Sequence, residues 1–195
     1  QLLAIPAAAP TPRPGGKVTI LATGANSDVN LTGAKVQADC GTIDIRNNGD
    51  AGHVNIAVVV GAAAVPSTLS ADVIKAGAFG PNGQLNIGTT NMSADTLIRL
   101  YATSSNGSLN FLANTTLSSP NIALAAGTVS IANNVIVTIA SSNPANVYTT
   151  NPNYSTTNGG NNGAASAGRF SGPGGLNGVN APQPLASAPL FDSAP

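Results

Sequence analysis

The chain has 195 residues, 42% of them hydrophobic and only 7% charged, with seven Lys and Arg balancing seven acidic residues. That length suits one ordinary domain, or a domain with a long tail, and the apolar fraction is enough for a core. The balance excludes a nucleic-acid partner, which would need a basic face, and so little charge gives weak electrostatic protection against self-association.

Residues 1–15 open the chain as an apolar arm punctuated by Pro6, Pro10, Pro12 and Pro14. Proline at this density excludes a helix or a central strand and predicts an extended segment. Leu2, Leu3 and Ile5 give the arm an apolar start that suits docking on another surface, by edge pairing or in a groove. The chain begins at Gln1 with no basic signal segment, and no apolar run reaches the ~18 residues of a membrane span. A processed segment or fragment is expected, with no membrane span.

Residues 16–140 carry a recurring phrase: Gly, any residue, an aliphatic, a polar residue, then an aliphatic or Phe. It reads Gly16-Lys-Val-Thr-Ile20, Gly41-Thr-Ile-Asp-Ile45, Gly52-His-Val-Asn-Ile56, Gly83-Gln-Leu-Asn-Ile87, Gly107-Ser-Leu-Asn-Phe111 and Gly127-Thr-Val-Ser-Ile131. Each predicts a turn glycine followed by a half-buried strand, because alternate residues of a strand share a face. The apolar run from Val58 to Val65 contains Gly61 and is expected to be buried strand and turn.

Longer copies overlie the phrase. Ser70-Ala-Asp-Val-Ile-Lys75 and its continuation to Ile87 match Ser93-Ala-Asp-Thr-Leu-Ile-Arg99 and its continuation to Phe111, with one residue of slippage. Asp72 and Asp95 are equivalent and are expected to cap turns. Lys75 and Arg99 are equivalent too, each placed to offset its unit's Asp. Similar successive units predict an all-β parallel solenoid, in which equivalent residues stack about 4.8 Å apart, over a β-sandwich of unrelated hairpins. At roughly 20–24 residues per coil the segment would make about five or six coils, with Asn, Thr and Ser laddered on the outside.

Cys40 is the only cysteine. It is expected to be a small buried hydrophobe after a strand, the sharper alternative being an intermolecular bridge or a free thiol. One Cys and one His cannot build a zinc site, and no other cofactor signature is present. The densest polar group is Asp39, Asp44, Arg46, Asp50 and His53. A β-helix enzyme would need such carboxylates clustered on one face, but Asp44 occupies the outward position of its phrase, and no second coil supplies a matching pair. The expectation is a solvated edge and no enzyme.

From Ser141 to Pro195 the composition shifts to Asn, Gly, Ser, Ala and Pro, as in Asn158-Gly-Gly-Asn-Asn-Gly163. Alone, such a tail buries too little apolar area to offset its ordering entropy. Phe170, Leu176, Leu185, Leu190 and Phe191 are its candidate anchors, with neighbouring subunits as the expected partner.

The run from Ala94 to Leu117 and that from Asn121 to Val137 resemble bacterial surface proteins with filamentous-haemagglutinin-like β-solenoid repeats. The resemblance covers about residues 50–140 and implies secretion, a right-handed parallel β-helix, and an adhesive or structural role. The combined reading is a subunit of an extracellular bacterial fibre whose partner is itself, assembled by end-to-end stacking and terminal-arm exchange. The alternative is a surface adhesin with a glycan contact along one solenoid face, and the third a polysaccharide-active enzyme.

Overall fold

The computed structural model describes residues 15–58, 65–154, 168–172 and 179–192. The arm residues Leu2, Leu3 and Ile5, the tail residue Leu176, and most of the Val58–Val65 run lie outside these. The protein is an all-β parallel solenoid of about five turns, with no α-helix among the described residues. Its strands are β1 (Lys17–Ala22), β2 (Asp28–Leu31), β3 (Lys35–Asn47), β4 (His53–Ile56), β5 (Ser67–Ala78), β6 (Gln84–Ile87) and β7 (Thr90–Ala102). They continue as β8 (Ser108–Phe111), β9 (Thr115–Ser118), β10 (Ile122–Ile131), β11 (Ile136–Ile139), β12 (Asn146–Asn153) and β13 (Arg169–Ser171). Every pairing between them is parallel.

Three faces result. One stacks β1, the second halves of β3, β5 and β7, the first half of β10, and the start of β12. A second, the ladder face, stacks β2, β4, β6, β8, the second half of β10 and the end of β12. The third stacks the first halves of β3, β5 and β7, then β9, β11 and β13. The long strands therefore turn a corner, and a register shift marks it between Ala38 and Thr42 and again between Ala71 and Val73. The second shift is the one-residue slippage between the matched repeats: Ser70 pairs with Ser93, whereas Val73 pairs with Leu97.

Alternation explains the core. Ile43, Ile74, Ile98 and Ile122 fall in one inward column of the first face, and Ile45, Ala76, Leu100 and Leu124 in the next. Each fully buried Ile or Leu contributes roughly 1.5–3 kcal/mol relative to exposure. On the ladder face the polar position of the phrase forms a hydrogen-bonded column. Asn55 donates to Asn30 (2.8 Å), Asn86 to Asn55 (2.9 Å), Asn110 to Asn86 (2.8 Å), and Ser130 to Asn110 (2.7 Å). The separations of 25, 31, 24 and 20 residues show coils of unequal length, the longest lying between the phrases at Gly52 and Gly83.

The phrase marks two faces. Gly16 and Gly41 introduce strands of the first face, while Gly52, Gly83, Gly107 and Gly127 introduce strands of the ladder face, one coil above another. The glycine is required where corner backbones meet: a Cβ on Gly107 would lie 2.2 Å from the Ala102 carbonyl oxygen.

Two expectations need correction. Cys40 is exposed, with φ at 51°, because it sits in the corner where β3 changes face and its side chain points out. The solenoid also continues past residue 140, since β12 pairs with β10 and β13 with β11. Composition changes there, but inward Val147 and Phe170 still supply apolar side chains. Phe170 closes the core, packing edge-on against Phe111 (5.9 Å between centroids) and Tyr154 (5.0 Å). Burial pushes the Tyr154 phenol up to about 12.

Candidate interaction face

The first face departs from the Asn, Thr and Ser that line the ladder face. Its outward columns run Asp44, Lys75, Arg99, Ala123, Asn146 and, beside them, Arg46, Gly77, Tyr101, Ala125, Tyr148. Charged and aromatic side chains thus alternate with residues too small to fill the surface. A Cβ on Gly77 would fall 2.5 Å from Phe79 Cζ, so the missing side chain is what lets the Phe79 ring lie across the sheet.

The last described residues occupy this relief. Residues 179–183 bridge to β12 and the residue before it, through Ala145–Val179 and Tyr148–Gln183. A 3-10 turn, Leu185–Ser187, then redirects the chain back across the face. Tyr101 Oη donates to the Pro189 carbonyl (2.9 Å), and Arg99 Nη1 donates to the carbonyls of Leu190 (2.7 Å) and Phe191 (3.0 Å). Phe191 is 8% exposed and packs edge-on against Phe79 (4.7 Å) and Tyr101 (5.4 Å). The Arg46 guanidinium lies 5.0 Å from its ring centroid and Lys75 Nζ 5.9 Å, an arrangement in which cations meet the negative face of the ring. Residues 179–192 form a strap that ties the last coil to earlier ones.

Charge is concentrated here. Lys17, Asp44, Arg46, Lys75, Arg99 and Asp192 all meet on this face, in a chain with only seven cations and seven carboxylates. Arg46 grips Asp44 with two parallel bonds, Nε to Oδ1 (2.7 Å) and Nη2 to Oδ2 (2.9 Å), and Lys17 approaches from above (3.4 Å). Burial by itself would raise the Asp44 carboxyl, but its bonds and charge interactions with Arg46 and Lys17 outweigh that and hold it below the usual value. The Arg46 guanidinium is correspondingly raised, chiefly by its bond to Asp44. Lys75 is lowered, by burial first and then by the charge of Arg99. Burial pushes the Tyr101 phenol up to about 12, against the opposing charge of Arg99.

A groove of about 750 Å³ runs beside the strap. Phe79, Tyr101 and Phe191 line it together with Asn48, Thr103 and Thr150.

The sequence candidates fall in different places. Phe170 and Phe191 are buried against their own solenoid, Leu185 is half-buried beside the Phe191 cluster, and Leu190 points outward at 78% exposure. Lys75 and Arg99 stack as equivalents but face the strap; Asp72 instead accepts a hydrogen bond from Thr96 Oγ1. The polar group Asp39 to His53 does not converge. Asp39 accepts from Gln37 (2.7 Å) near the β3 corner, Asp44 and Arg46 lie under the strap, and His53 Nδ1 meets Asp28 (3.1 Å) on the ladder face. Among the described residues, no three His, Cys, Asp or Glu side chains gather to hold a metal, and no helix is long and apolar enough to cross a membrane. Sequence reading missed Gly77, Phe79 and Tyr101. Their signal is the outward Lys75-x-Gly77 and Arg99-x-Tyr101 pairs, where the ladder face carries Asn.

Fold and face together define a parallel β-solenoid whose end is strapped across one of its own sheets. No family model matches the chain, and comparison with curated proteins and with solved structures gives no match.

Proposed function

We propose that this chain is a structural subunit of an extracellular bacterial surface fibre, built by stacking solenoids end to end. One observation carries the reading: β1 and β2 terminate the sheet path, each pairing on one side only among the described strands. Val18, Ile20 and Leu31 on these strands, and Val36 at the start of β3, are only partly buried against a core that another coil would complete. Such an edge pairs readily, and a head-to-tail contact that does not close propagates as a filament. The low charge of the chain and the resemblance to surface solenoids support the same reading.

Negative-stain microscopy of purified protein tests it: fibres are expected, and deletion of residues 1–15, with Leu2, Leu3 and Ile5, removes the arm assigned to lace neighbours. Normal polymerisation of the truncated chain would end the lacing role, and the absence of fibres both from the wild-type chain and from variants that expose its sheet edges ends the fibre reading. A second reading, a glycan-binding surface adhesin, draws support from the groove where aromatic Phe79 and Tyr101 meet polar Asn48 and Thr103. It predicts saccharide affinity that Tyr101→Ala removes.

A further inference from the structure

We propose that the outer edge of β12 on the strapped face is the docking site for β1 of a second copy, and that residues 179–192 hold that site closed in cis. The inference rests on the end-to-end reading above and specifies its interface.

The groups a further coil would use are already engaged. Asn180 N–H donates to the Ala145 carbonyl (2.8 Å), Gln183 N–H to the Val147 carbonyl (2.8 Å), and Thr149 N–H to the Gln183 carbonyl (2.9 Å). Yet this final rung is a poor strand. It makes two isolated bridges, carries Pro182, and leaves the sheet at Pro184. Proline at an edge blocks further pairing. A segment of this kind covers an edge without continuing the sheet.

β1 is a better match for the same edge. Its register continues every column: Val18 pairs with Ile43, whose column runs through Ile74 and Ile98 to Ile122. Ala123 pairs with Asn146, so a β1 laid in register would set Thr19 on Asn146, with Val18 and Ile20 over inward Ala145 and Val147. Leu21, 55% exposed in the isolated chain, would fall on Tyr148. On the ladder face Ser130 pairs with Asn153, so Asn30 of the incoming copy would meet Asn153 and prolong the asparagine column. Both β1 and residues 179–183 need the same edge, so only one can be present.

The strap is then the latch. Phe191 packed on the Phe79 and Tyr101 rings, the Arg99 and Tyr101 bonds to strap carbonyls, and the Arg46–Asp192 pair keep the weak rung in place.

The test uses the full chain. Phe191→Ala removes the ring that packs on Phe79 and Tyr101, and Gly77→Val displaces the Phe79 ring against which Phe191 rests. Release is read as faster amide exchange at Asn180 and Gln183, and assembly as sedimentation and fibre lag time. Both variants are expected to assemble at a concentration lower by about tenfold or more, and Leu21→Asp on exposed β1 should suppress that assembly. Added peptide 179–192 should do the same. If wild-type chains form fibres in which Asn180 and Gln183 stay protected, or released variants assemble no better than wild type, the latch is overturned while the fibre reading stands. Assembly undiminished by Leu21→Asp overturns β1 as the partner. If neither wild type nor released variants assemble, the fibre reading itself falls, and the latch with it.

Discussion

Asp192 and Arg46, 146 residues apart in sequence, pair across the strapped face, with Arg46 Nη1 donating to Asp192 Oδ2 (3.2 Å) and Nη2 to Oδ1. The two ends of this bond are unequal. The Asp192 side chain is 67% exposed, whereas Asp44, on the other side of Arg46, is 4% exposed. Replacing Asp192 by Asn should therefore cost about 0–1 kcal/mol, as for exposed pairs. Arg46→Met leaves a buried carboxylate with only Lys17 and should cost about 2–3 kcal/mol. Urea unfolding midpoints of the two variants decide it.

The same carboxylate sets an acid limit. The folded pKa of Asp44 is depressed below its model-compound value of 3.8, so the unfolded chain binds the proton more tightly. Its contribution is then full above that value and is lost as pH falls through the folded pKa. Thermal melts between about pH 5 and pH 2 should show a falling midpoint, and Asp44→Asn should flatten part of that fall. An unchanged acid limb in the variant would show that other groups set it.

The asparagine column offers a test of stacking by side chains. Asn86 donates to Asn55 and accepts from Asn110. Asn86→Ala breaks both bonds on a half-buried surface and should cost about 1–2 kcal/mol. Loss should appear first as faster amide exchange in β4, β6 and β8, with the third face unaffected. Uniform destabilisation of all three faces would contradict a local ladder role.

A corner residue is mismatched. Asn26, Ala51 and Asn82 occupy equivalent turn positions, with φ of 52°, 48° and 59°. Each precedes the residue whose N–H closes the turn: Ser27 to Gly24, Gly52 to Gly49, Gly83 to Gly80. A positive φ at this third turn position suits Gly or Asn and strains Ala. Ala51→Asn should stabilise by about 0.5–1 kcal/mol, measured as a higher melting midpoint, whereas Ala51→Val should lower it.

Much of the solenoid is legible in the residues themselves. Alternation in each Gly-x-aliphatic-polar-aliphatic phrase is a local property of an extended chain, so it identifies strands and their buried sides directly. The Ser70 and Ser93 copies carry the register as well, because stacked coils must present matching side chains at each level, and their one-residue slippage becomes the shift after Ala71. The sequence thereby determined the strands, their inward faces, and the parallel stacking of similar units.

Only the tertiary structure decided which face each phrase belongs to and what the outer surfaces meet. Gly41 and Gly52 start equivalent phrases eleven residues apart in sequence, yet a corner separates them, and a corner leaves no trace in strand alternation. That corner also scatters Asp44 and His53 onto different sheets. The strap was beyond local reading altogether: Phe191 and Arg99 are ninety-two residues apart, joined by a hydrogen bond from the Arg99 guanidinium to the Phe191 carbonyl, on a face where the absence of a side chain at Gly77 makes room for the Phe79 ring. Short-range periodicity encodes a coil, whereas a contact between distant coils depends on the shape that their stacking creates.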